Sequence, residues 1–139
     1  MRFAVLAVVT MTGCALDGGS DVDAQLGAIL FYGDGPEVQV PGSARVGEPI
    51  HIVVETAGGG CVHYVRTDVE QTADRVVIYP YDSRPPTGAI CTQELRSLEH
   101  LAVVRFSTAG TKTIEVFGRS VDSQGDEVIS VPLSIDVTP

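Results

Sequence analysis

Four residues in the middle of this 139-residue chain have side chains suited to metal or thiol chemistry: Cys61, His63, Cys91 and His100. A Cys-x-His pair on a strand sends both side chains to one face, and Cys₂His₂ is a donor set that tetrahedral zinc accepts. The intervals that follow match no common zinc module. An envelope metal-binding protein or enzyme built on these four residues is therefore the alternative reading. Gly58-Gly59-Gly60 offers backbone amides to an anion, but no Lys follows it and no helix starts there, so a tight bend with positive φ is its expected use. The carboxylates Glu55, Asp68, Glu70, Asp74 and Asp82 carry no spacing that brings two together across a cleft. Ser83, Ser97 and Ser107 lie outside any Gly-x-Ser-x-Gly setting. These residues predict no enzyme, no cofactor and no resident metal.

The segment Tyr79-Pro80-Tyr81-Asp82-Ser83-Arg84-Pro85-Pro86-Thr87 points to binding instead. Tyr and Arg are enriched where proteins meet partners, and a proline pair stiffens a loop. Tyr79, Tyr81 and Arg84 are the expected contact residues, for an envelope protein or a glycan. Acidic residues outnumber basic ones 18 to 9, giving a net charge of -9. Arg45, Arg66, Arg75, Arg84, Arg96, Arg105, Lys112 and Arg119 are scattered singly. Phosphate binding needs clustered cations, so nucleic acid is excluded as a partner.

The opening residues carry an address. Arg2 precedes an apolar run over 3–9 that continues through Thr10 and Met11. A helix of about nine residues rises only about 13 Å, too short for a ~30 Å hydrocarbon core, but it has the layout of a secretory signal. An ordinary secretion signal and a buried N-terminal strand are the alternatives. The run ends in Met11-Thr12-Gly13-Cys14, which resembles the lipobox of bacterial lipoproteins. The resemblance implies removal of residues 1–13, a diacylglyceryl thioether on Cys14 and further acylation (palmitate). With Ala15 rather than Asp after the cysteine, it implies the outer membrane. Residues 14–25, rich in Gly, Ser and Asp, read as a flexible tether; Asp17, Asp21 and Asp23 lack the spacing of an EF-hand calcium loop.

If Cys14 carries lipid, Cys61 and Cys91 remain as a pair, and an exported chain traverses an oxidising compartment, so a disulfide is expected between them. From residue 26 onward, short apolar or alternating runs are separated by turn clusters such as Gly33-Asp34-Gly35-Pro36. Strands are predicted over 26–32, 37–40, 50–56, 62–66, 75–79, 101–106, 113–119 and 129–137. In the last, Pro132 requires an edge or a bulge. Leu95, Leu98 and Leu101 predict one short helix over 93–100, capped by Thr92. Seven or eight such strands predict an all-β, immunoglobulin-like antiparallel sandwich of two sheets, monomeric, with a small barrel as the alternative. The stretch 38–119 is also similar to uncharacterised lipoprotein domains that share Gly-Gly-Gly-Cys after a strand, Pro-Tyr-Asp, a second Cys and a late Gly-Arg. That similarity implies the disulfide and the fold, and no activity.

Overall fold

A computed structural model describes residues 23–121 and 127–139. The lipobox, Cys14 and most of the tether lie outside the described residues. The described chain is nearly all strand. It runs β1 (Ala24–Leu26), β2 (Ala28–Ile29), β3 (Phe31–Tyr32), β4 (Gly35–Pro36), β5 (Val38–Gln39), β6 (Ser43–Arg45), β7 (Ile50–Gly58), β8 (Tyr64–Gln71), β9 (Arg75–Ser83), β10 (Arg96–Val104), β11 (Gly110–Ser120) and β12 (Val128–Thr138). Strand pairing begins at Ala24, two residues before the predicted domain start.

Ten strands are joined by hydrogen bonds into one sheet, and β3–β4 form a separate ribbon. β8, β9, β11 and β12 follow one another at one end, and β10 with β7 forms the other. The small β2 joins the two ends, pairing with β11 through Arg119↔Ala28 and with β7 through Ile29↔Thr56. Ile52 and Val54 of β7, Val76 and Ile78 of β9, Ile114 and Val116 of β11 and Ile135 of β12 nevertheless lie in one buried cluster, together with Phe106. The sheet must therefore curl until both ends face the same core, because each has only one apolar face to bury. Alternation supplies that face. In β7, Ile50, Ile52, Val54 and Thr56 are buried while His51 is exposed.

Three local outcomes differ from the sequence expectation. First, 93–100 is no helix: Arg96–Val104 is strand β10, paired residue by residue with β7 from Arg96↔Gly58 to Val104↔Ile50. Its inward positions are Leu98, His100, Ala102 and Val104, and the buried His masks the period of two. The supposed helical stripe is not buried, since Leu95 and Leu101 are exposed. Second, the sheet is mixed rather than antiparallel. Among the described residues β9–β11, β2–β11 and β6–β12 pair parallel, and a parallel neighbour needs a long crossover, supplied between β9 and β11 by β10.

Third, β9 continues through Pro80 to Ser83. Pro80 stands at a seam: β11 accompanies β9 only as far as Ile78, and β1 takes over from Tyr81. A residue with no N–H fits where the neighbour changes. The Pro80 carbonyl still accepts from the Gly27 amide at 2.8 Å. Pro132 behaves as expected. It faces Glu115 across the β11 ladder, while β6 reaches the other side of β12 only at Asp136–Thr138, which leaves Pro132 on an edge.

Candidate functional site

Cys61 and Cys91 form a disulfide with Cα atoms 5.4 Å apart. Both sulfurs of the Cys/His set are thus used, and the two histidines have gone separate ways. His63 is exposed, and its amide donates to the Ser83 hydroxyl at 2.9 Å. His100 is fully buried. No group of three or more His, Cys, Asp or Glu able to hold a metal occurs among the described residues.

The disulfide clamps the 84–95 loop onto the glycine turn. Gly59 and Gly60 both have positive φ, and a Cβ on Gly59 would lie 1.7 Å from the Glu94 carbonyl oxygen. Only glycine permits that backbone shape and that approach together. Ser83 adds a second tie by donating to the Cys61 carbonyl at 3.3 Å.

A buried polar network lies beneath this region, and spacing gave no sign of it. Asp82 of β9 accepts from the Thr56 hydroxyl of β7 at 2.7 Å and meets His100 Nε2 of β10 at 2.9 Å. His100 Nδ1 lies 3.0 Å from the Thr67 hydroxyl of β8. The Asp82 carboxyl and His100 Nε2 share one proton between them. A hydroxyl both donates and accepts, so Thr67 satisfies Nδ1 whichever way that atom is protonated. Gly27 closes the top: a Cβ there would lie 2.5 Å from Thr56 Cγ2 and 2.6 Å from Asp82 Oδ2. Tyr64 covers one side, its ring centroid 4.8 Å from that of His100.

Hydroxyl, imidazole and carboxylate in this order resemble a nucleophile with its base and orienting acid. Such chemistry also needs a cleft at the hydroxyl and donors for an oxyanion. No pocket is found among the described residues, and His100 and Asp82 are shielded from solvent. What the geometry does directly is cross-link four strands, tying the β7–β10 pair to the β8–β9 pair.

Comparison with protein families, curated proteins and solved structures finds no match.

The expected contact residues do not form one loop. Tyr79 and Tyr81 project from the outer face of β9, and only Arg84 lies beyond the strand. Tyr79 stacks on Phe117 of β11 with centroids 5.6 Å apart and planes 13° from parallel. The Arg66 guanidinium sits 4.2 Å above the Tyr81 ring. Arg66 is also paired with Asp68 at 3.0 Å, and Arg75 with Glu115. The outer face of β8, β9 and β11 is therefore an aromatic patch ringed by ion pairs. Partial burial is the main cause that raises the Tyr79 pKa, followed by the charge of Glu70.

Hydrogen bonds from Ser130 and then Arg75 hold the Glu115 carboxyl below the usual glutamate range, against an opposing effect of burial. A carboxyl with a lowered folded-state pKa stabilises the fold above its unfolded pKa, and that contribution disappears as pH falls through the folded value. Glu115→Gln should accordingly flatten the acid limb of the stability profile. Urea midpoints of both proteins, at neutral pH and below the glutamate range, test this. An unchanged difference between the two pH values would refute it.

Proposed function

We propose that this chain is an exported lipoprotein, held in the outer membrane by a diacylglyceryl group on Cys14. Its folded part acts as a non-enzymatic, monomeric binding module of immunoglobulin-like sandwich type. The observation that carries this reading is the Cys61–Cys91 disulfide. It suits an oxidising compartment, and it leaves Cys14 as the odd one of three cysteines, at the position where the lipobox resemblance places the lipid. The sandwich reading rests on the two strand groups facing one core. The partner, an envelope protein or a glycan, would meet the outer face around Tyr79, Tyr81 and Phe117, because rigid aromatic rings flanked by Arg and carboxylates suit both. Arg84, the third expected contact residue, lies just beyond the end of β9.

The test is the intact mass of protein extracted from membranes, before and after reduction. The expected mass is that of residues 14–139 plus a diacyl or triacyl adduct, with two hydrogens gained on reduction. An unmodified mass, or cleavage at another position, would overturn the anchor.

A further inference from the structure

The loop 84–95 presents two large apolar side chains to water. Ile90 is 102% exposed and Leu95 72%, on a loop held at one end by β9 and pinned at Cys91 by the disulfide. Among the described residues they are the two most exposed of the large hydrophobic side chains.

The course of the chain indicates which occupant. Ala24 pairs with Ser83, and the Arg84 amide donates to the Asp23 carbonyl at 2.7 Å. The chain coming from Cys14 thus enters the domain at the root of this loop. Nine residue steps separate Cys14 from Asp23, a span of at most about 30 Å when fully extended. A lipid on Cys14 would hold the root of the loop within that distance of the headgroups, which keeps the loop at high effective concentration there.

Charge agrees with this placement. The whole chain carries -9, but the segment Arg-Pro-Pro-Thr-Gly-Ala-Ile-Cys-Thr-Gln-Glu-Leu of the loop has one cation and one anion. It is a neutral part of an acidic molecule, so a lipid surface does not repel it as it would repel the rest.

We propose that the 84–95 tip is a membrane-contact site, with Ile90 and Leu95 seated among the lipid headgroups beside the anchor. The disulfide keeps the tip projecting and fixes how the domain stands on the bilayer. Tyr79 and Phe117, on the outer sheet face, would then be held at a set angle to the membrane. This inference rests on the lipoprotein reading above.

The chain contains no Trp, so a single introduced indole reports unambiguously. Ile90→Trp and, as a control on the exposed face of β10, Leu101→Trp are purified with their lipid and reconstituted into phosphatidylcholine vesicles carrying shallow spin-labelled lipid. The expected result is a blue-shifted, strongly quenched indole at position 90 and a water-like, unquenched one at 101. Equal spectra at both positions, or a water-like indole at 90, would overturn the proposal. If intact mass shows no lipid on Cys14, the same variants are tethered through an N-terminal hexahistidine to nickel-chelating lipid. A blue shift only at 90 then retains the contact site while the native anchor fails; no shift removes both.

Discussion

Asp82→Ala should destabilise the domain by several kcal/mol, since each buried polar group left without its hydrogen-bond partner costs about 1–3 kcal/mol. Against the 5–15 kcal/mol that holds a typical domain together, this approaches unfolding. The cost arises less from the lost contacts than from what stays behind. His100 Nε2 and the Thr56 hydroxyl would both be left without their partner inside the core. Removing both members of the pair should be much milder. Asp82→Val combined with His100→Leu replaces the pair by apolar groups and leaves only two hydroxyls to satisfy, so the double variant should be more stable than Asp82→Ala. Urea unfolding of the single and double variants provides the measurement. A loss below about 1 kcal/mol for Asp82→Ala would mean that water reaches the site, and the network would then not be the cross-link described above.

Breaking the disulfide ranks next. Cys61 and Cys91 are 30 residues apart, and closing a loop of that length removes roughly 3–4 kcal/mol of unfolded-chain entropy on the simplest polymer account. Cys61→Ser with Cys91→Ser should lower stability by about that amount, with the greatest local loss in the 84–95 loop. Hydrogen exchange distinguishes the two levels. Amides of the glycine turn and the loop should exchange fastest in the variant, while those of β11 and β12 should fall only with global stability. Uniform loss of protection, with no excess in the loop, would contradict a pinning role.

How much of this was legible in the residues depends on how far each feature reaches. β7 and β12 were read correctly because every second side chain is apolar and both faces are unambiguous. The first half of β10 was misread as helix because a His takes a core position, and what makes His100 a core residue is Asp82, eighteen positions earlier on another strand. Pairings of that kind depend on tertiary register, which local pattern does not contain. The same holds for Pro80: read locally it ends a strand, and only the exchange of β11 for β1 alongside β9 makes it tolerable. The aromatic surface was found by residue type, but Tyr81 was assigned to a loop because the strand was predicted to stop at Tyr79, just before the proline. Phe117, their partner across the sheet, carried no signal of its own. The cysteine pair was recoverable by counting, since counting does not require knowledge of the fold.

The connections of β1 and β2 also bear on when the domain can form. β1 waits for residues 81–83, and β2 for Thr56 and then for 119–120. Little near the start of the chain can settle until most of the sequence has been made, and β11 completes its main ladder only with β12, the last strand. Such distant pairings place folding in the slow, millisecond-to-second class of β-rich domains. Until those late residues are present, the early segments have no strand partners, and their backbone N–H and C=O groups stay bonded to water.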